Sequence, residues 1–318
     1  PSLPELRRLR DLSPQLAKGC VELVARLRER ESYASLADEV ELRLAGEFEQ
    51  VKAEDLGRID TFRVEEQRVL DAAVAELLKG EWARALGFAE ARTEESSFWL
   101  KRDQSRRREW SLVREAATLG VTLGRLPRPL EGATTLDEAV ARYTAGGFEV
   151  DRAHRRFEQR QATLLDSELP HFGDLKEAVR RLRGAYREWA DALARDFSKL
   201  CRQVGFLPEP GLQQRALFDQ VVAPLAAEEK VAYFLIDAFR YEMATELVDD
   251  LKGPGTVVDL KSRLAELPTI TAVGMNLLAP VSQDGRLQVA GSFAGFKHGE
   301  FTVRTPDDRA RAIGQRGG

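Results

Sequence analysis

A chain of 318 residues, 43% apolar and 31% charged with 13 prolines and 24 glycines, can bury a core, which excludes disordered, collagen-like and low-complexity classes. Forty-eight basic against 52 acidic residues leave a net charge of −4 and a pI near 5.7, so a global electrostatic grip on nucleic acid is not expected and only a local patch stays open. At about 150 residues per domain, the length suggests roughly two domains.

Residues 1–207 read as helix after helix, with amphipathic runs over about 3–30, 32–53, 62–88 and 104–119. Thr135-Leu-Asp-Glu138 is a capping box that opens a helix closed by Gly146-Gly147, and the stretch 125–150 is a candidate break between two sub-bundles. Further on, Leu175, Val179, Leu182, Tyr186, Trp189, Leu193, Phe197 and Leu200 recur by threes and fours. That spacing predicts a helix of about seven turns with one apolar stripe, between Gly173-Asp174 and Gly205. No repeat of fixed period is visible, which argues against a regular solenoid.

The character changes at Leu207-Pro-Glu-Pro-Gly211. Residues 208–228 read as a linker with a short helix at Gln213–Val222. Val231–Ile236 is a continuous apolar run ending in Asp237, the pattern of a strand buried on both faces. An amphipathic helix through Met243, Leu247 and Leu251 stops at Gly253-Pro-Gly255, and Thr256–Leu260 reads as a second strand. Strand, helix and strand in this order predict a βαβ unit with parallel strands. The expected class is therefore mainly α: a large multi-helix region followed by a partial, parallel-sheet α/β domain over 229–318.

Chemistry concentrates after residue 230. In an open parallel sheet, ligands gather at the carboxyl ends of the strands, where Asp237 stands; capping the next helix is its other available role. Thr269 and Thr271 lead into a short helix through Ala272–Ala279, where free amides favour anions or simply need caps. Lys101–Arg128 offers a different chemistry: Arg106, Arg107 and Arg108 beside Phe98, Trp99 and Trp110 form a candidate nucleic-acid surface. A solvated basic face with its tryptophans in the core is the favoured reading of that stretch. Cys20 and Cys201 have no CxxC or Cys/His spacing and suggest a reducing compartment. No signal peptide is visible in residues 1–30, and the longest uncharged run, 267–283, is broken by Pro268 and Pro280. A soluble, cytoplasmic chain with no membrane partner is expected.

The stretch Ile236-Asp-Ala-Phe-Arg-Tyr-Glu-Met243, followed by Leu267-Pro-Thr-Ile-Thr-Ala-Val-Gly-Met275, resembles the PglZ family of the alkaline phosphatase superfamily, found in BREX anti-phage systems. Phe98-Trp99-Leu100 ahead of a basic run, and Gly147-Phe-Glu-Val-Asp151 with Arg155-Arg156 downstream, are similar to the region preceding the phosphatase domain in such proteins. The resemblance implies a metal-dependent phosphatase or phosphodiesterase, with zinc its expected cation. It makes Asp237 a metal ligand and Thr271 the metal-bound hydroxyl nucleophile, Thr269 being the less favoured nucleophile. Arg240 and Glu242 take supporting ion-pair roles. Other BREX proteins are the implied partners, docked by the helical region; a non-catalytic scaffold is the alternative.

One departure matters. Superfamily members draw further metal ligands from a later Asp-His pair and additional histidines, whereas after Thr271 this chain has His298 and no such pair. His154 and His171 lie in the helical region, and Asp307 and Asp308 beside Pro306 read as a turn or helix cap. The expectation is a fragment of a longer protein with its α/β domain truncated, inactive by itself and holding no tightly bound metal.

Overall fold

The computed structural model describes residues 13–92, 97–161, 166–283 and 285–317, and the chain is mainly helical. Its residues cluster into two compact units, Pro1–Pro127 with Ala153–Trp189, and Arg128–Arg152 with Ala190–Gly318. In chain order the first helices are α1 (Pro14–Arg28), α2 (Tyr33–Arg43), α3 (Ala45–Phe48), α4 (Ala53–Leu56), α5 (Arg63–Lys79), α6 (Trp82–Glu90) and α7 (Gln104–Arg125). Then come α8 (Leu136–Arg142), α9 (Phe148–Gln159) and the long α10 (Phe172–Val204). The part of the first amphipathic run that precedes residue 13 lies outside the described residues.

Local sequence sets the boundaries. Ser13 accepts the Leu16 N–H and Pro14 begins α1, while Gly80, at φ 82°, ends α5 in the left-handed conformation. Thr135 accepts the Glu138 N–H as the capping box requires, but the Glu138 carboxylate returns to the Thr134 N–H, one residue earlier than expected. Gly146-Gly147 does not close the helix. The chain passes through a π-helical turn, Tyr143–Gly147, straight into α9. A Cβ on Gly147 would meet the Tyr143 ring at 3.0 Å, so glycine leaves the space in which that ring lies.

The first unit buries one face each of α5, α6 and α7, including Leu70, Leu77, Ala85, Ala89, Leu112, Val113 and Leu119. The Trp82 ring of α6 packs onto Gly120 of α7, where an added Cβ would lie 2.4 Å from it. Charge is buried in the same core. Glu66 accepts from the Trp110 indole and pairs with Arg92, whose guanidinium also donates to the Ile59 carbonyl at 2.7 Å. Burial pushes the Glu66 carboxyl up, against the opposing pull of Arg92 and Trp110. Asp60 accepts from the Phe98 N–H at 2.6 Å and from Arg28 at 2.7 Å, tying the loop before α5 to the chain ahead of α7.

His171 stands immediately before α10. Its Nδ1 lies 3.1 Å from Glu109 of α7 and its Nε2 2.8 Å from Asp71 of α5, while its backbone N–H donates to Glu109. The Glu109 hydrogen bond raises the imidazole pKa, burial opposes it, and Asp71 adds to the rise.

Among the described residues of the second unit are two apolar clusters. Leu130, Leu136, Ala139, Leu200 and Cys201 form one. Val273, Leu277, Ala279, Val281, Phe296, Val303 and Ala312 form the other. The α-helices that follow α10 are α11 (Ala223–Glu228), α12 (Tyr241–Leu251), α13 (Thr271–Gly274) and α14 (Pro306–Gly317). The strands are β1 (Ser282–Gln283), β2 (Arg286–Leu287), β3 (Phe296–His298) and β4 (Phe301–Val303), paired as two antiparallel hairpins.

The expected parallel βαβ unit is not among these elements. Val231–Ile236 and Thr256–Leu260 flank α12 as anticipated, but both run without a ladder, with Phe234 82% and Val257 98% exposed. A run that is apolar on both faces becomes a strand where neighbours pair its backbone and layers cover it, and the described residues supply neither. Among them, no helix is long and apolar enough to cross a membrane.

Two outcomes test this packing. Gly120→Ala forces the Trp82 ring aside and lowers unfolding stability by about 1–3 kcal/mol in a denaturant titration. His171→Gln removes a charge-assisted contact and costs on the order of 2 kcal/mol at pH 6. Because the folded pKa of His171 is raised, its contribution is complete below about pH 6.5 and fades as pH climbs through the folded value. The gap between wild type and His171→Gln therefore narrows as pH rises.

Candidate active site

The site is built from the run that leads into α12 and the loop ahead of α13. Val231–Ile236 runs extended, held at Tyr233, whose hydroxyl donates to the Leu278 carbonyl at 3.0 Å. Burial pushes that phenol up to about 12, so it stays a neutral donor. Asp237 ends the run, and Ala238 turns the chain at φ 54° into the approach to α12.

A separate set of contacts places Thr271. The Leu264 N–H donates to the Leu212 carbonyl at 2.8 Å, and the Glu266 N–H donates to Gln214 at 3.1 Å. Gln214 also donates to the Gly274 carbonyl at 2.9 Å, so one side chain grips the loop on both sides of Thr271. Arg215 clamps Glu266 with two hydrogen bonds of 2.6 Å. This is the fork-to-carboxylate geometry that fixes orientation as well as distance. Below α13, Asn276 donates to the Ala272 carbonyl and accepts from Arg309, while Val273 and Leu277 enter the core.

The two halves meet. The Thr271 hydroxyl donates to Asp237 Oδ2 at 3.0 Å, and Asp237 Oδ1 accepts the Ala238 N–H at 2.9 Å. Both side chains are exposed, which leaves the hydroxyl oxygen open to an incoming molecule. Thr269 sits exposed in the loop two residues earlier. Arg240, largely exposed, pairs with the buried Glu242 at 2.9 Å.

The later residues are engaged elsewhere. His298 Nδ1 contacts the Pro280 carbonyl at 2.8 Å. Asp308 accepts the Arg304 and Thr305 N–H groups and returns its own N–H to the Thr305 hydroxyl, a helix-capping arrangement at α14. Those hydrogen bonds hold its carboxyl below the usual range, the Thr305 N–H foremost. Among the described residues no group of three or more His, Cys, Asp and Glu side chains converges to hold a metal ion. Asp237 and Thr271 give two oxygen donors, short of the four that a zinc ion takes.

The basic stretch of α7 is occupied as well. Arg106 donates to Gln67 and lies near Asp103, Arg108 pairs with Asp166, and Arg107 has a partner of its own. Trp110, Trp99 and Phe98 are each less than a tenth exposed, so these rings present little face to a base.

With Asp237 and Thr271 in contact, comparison with known proteins becomes informative. Residues 217–311 match the family model of the BREX system PglZ alkaline phosphatase-like domain. The PglZ match takes in both halves of the pair. The helical motifs at 98–100 and 147–156 lie outside it. No curated protein and no solved structure matches the chain.

Gln214, Arg215, Glu266 and Ala238 were not legible as site residues. Gln214 and Arg215 precede the first recognisable motif, and nothing in their spacing links them to a loop some fifty residues later.

Proposed function

We propose that these residues belong to a BREX phage-defence protein whose PglZ domain is a metal-dependent phosphatase or phosphodiesterase, with Thr271 as nucleophile. The observation that carries this reading is the 3.0 Å hydrogen bond from Thr271 to Asp237 inside the matched domain. An alcohol attacks phosphorus poorly at neutral pH because its proton must leave. Donation to a carboxylate orients the Thr271 lone pairs outward and gives the proton somewhere to go. A divalent cation, zinc by resemblance, would depress the hydroxyl pKa. It would need more ligands than this pair, so no step is routed through it. The parallel sheet expected of such a domain belongs to the same proposal.

The test is hydrolysis of bis-p-nitrophenyl phosphate with added Zn²⁺ or Mn²⁺ by the complete gene product that carries these residues. Thr271→Ala is expected to lower the rate at least about 100-fold while the fold is retained. Equal hydrolysis by the two proteins removes Thr271 from the chemistry.

A second role, compatible with the first, is docking of other BREX subunits through the helical region. The observation in its favour is α1, which buries none of its residues and exposes Leu16, Cys20 and Leu23 at helical spacing. Apolar residues three and four apart on an exposed helix face make a partner face. Leu16→Glu together with Leu23→Glu should abolish co-purification with the other BREX proteins and leave the unfolding midpoint unchanged.

A further inference from the structure

Beside the apolar cluster that includes Leu130 and Ala139 lies a cleft of about 320 Å³, lined wholly by residues of the second unit. That volume falls at the lower end of the range of small-molecule sites. Its walls come from α8 and the π-helical turn, from the second half of α10, and from the segment 262–265 with Tyr241. Small side chains leave the room: Ala139 on α8, and Ala190 and Ala194 one turn apart on α10. Single π-helical turns of this kind recur at working sites.

The lining sorts by chemistry. Tyr143 and Thr144 carry hydroxyls, but the chain uses both: Tyr143 donates to Asp151, and Thr144 donates to the Val140 carbonyl at 2.9 Å. With their hydroxyls occupied, these two extend the apolar wall of Leu193 and Phe197. The wall from Tyr241 and 262–265 differs. The Tyr241 and Ser262 hydroxyls have no hydrogen-bond partner among the described residues, and Arg263 is the charged side chain of the lining.

The Arg263 guanidinium donates to the Gln213 carbonyl at 2.8 Å and to Gln220 at 3.0 Å, both neutral. Among the described residues no carboxylate pairs with it. Arg240 and Lys261, which share the lining of an adjoining cavity with Arg263, each have one, Glu242 and Asp259. Burial lowers the Arg263 pKa, as it does for a cation partly withdrawn from water. Such a charge is stabilised by an anion that reaches it.

We propose that this cleft binds a small amphiphilic anion, an aliphatic body along the apolar wall with one carboxylate head at Arg263 and the Tyr241 and Ser262 hydroxyls. A wholly apolar ligand would leave three donor groups facing it without an acceptor, and a cation would meet the repulsion of the guanidinium. The assignment is independent of the phosphatase reading, since it uses neither Asp237 nor Thr271.

Calorimetric titration of the 318-residue chain with octanoate, 1-octanol and octylammonium separates head from tail. Octanoate is expected to bind saturably, one to one, below about 1 mM, and 1-octanol about tenfold or more weakly. Octylammonium is expected not to bind. Arg263→Met should bring octanoate down to the level of the alcohol and leave the alcohol unchanged. Ala190→Phe, which fills the cleft from a half-buried position on α10, should remove both. Octanoate should also raise the unfolding midpoint of the wild type and not that of Ala190→Phe.

Absence of saturable octanoate binding in that range overturns the site. Equal affinity for octanoate and either analogue overturns it too, because the cleft then recognises no anionic head. Undiminished binding by Ala190→Phe places the ligand elsewhere and has the same consequence. Arg263→Met also loses the hydrogen bonds to residues 213 and 220; if it does not fold, the three ligands on the wild type and on Ala190→Phe still decide.

Discussion

The contact between Thr271 and Asp237 joins two segments that have no reason to meet from their own sequences. One is an extended apolar run that ends at the carboxylate; the other is a loop that ends at a four-residue helix. Neither segment is regular enough to position a side chain by itself. The position comes from the strap at 212–215, through backbone pairing at Leu212, two-sided gripping by Gln214 and the Arg215–Glu266 clamp. Arg215 and Glu266 are each mostly shielded from water, so their charges are less screened than those of a surface pair. The exposed pair thus depends on a better-shielded one. That division suits a reactive centre, since the groups that meet a substrate must be open while the groups that aim them must not move.

The first unit solves a different problem with buried charge. Glu66, Arg92, Asp60 and Glu109 lie in or beside a core of leucine, alanine, valine and aromatic side chains. An apolar replacement of similar shape would often be as stable, so their retention is better explained by specificity than by strength. Each connects segments that apolar contact alone would leave free to slide: Arg92 joins the end of α6 to Ile59, and His171 joins the start of α10 to α5 and α7. Helices of near-uniform apolar faces pack in several registers, and a hydrogen-bonded charge selects one.

What the sequence made legible follows from the range of the forces involved. Amphipathic spacing is local, and helices α5, α7 and α10 lie where periodicity placed them. Caps are local too, so Thr135, read from its spacing to Glu138, serves as an N-cap in the structure. Asp237 and Thr271 stood out because each sits in a short motif. The strands failed for the converse reason. An apolar hexapeptide specifies that it should be covered, but its ladder lies in whatever chain runs beside it, and sequence cannot name that neighbour. Gly146-Gly147 misled similarly: glycine is a stop signal only when the next residues leave the helix, and here Tyr143 fills the space that the glycine leaves.

The same contrast runs through the region that matches the PglZ family model. Its core of Val273, Leu277, Phe296, Val303 and Ala312 closes around α13, so the threonine half of the pair rests on packed structure. The carboxylate half rests on an extended run whose apolar side chains stay largely in water, anchored chiefly through Tyr233. If covering that run costs nothing to the pair, the contact between Asp237 and Thr271 is a property of the strap and the turn at Ala238. If covering it shifts Asp237, the pair is set by the sheet. The turn argues for the first alternative. The Ala238 N–H holds one oxygen of the Asp237 carboxylate from within the chain, through a hydrogen bond one residue long, and that bond needs no sheet to form.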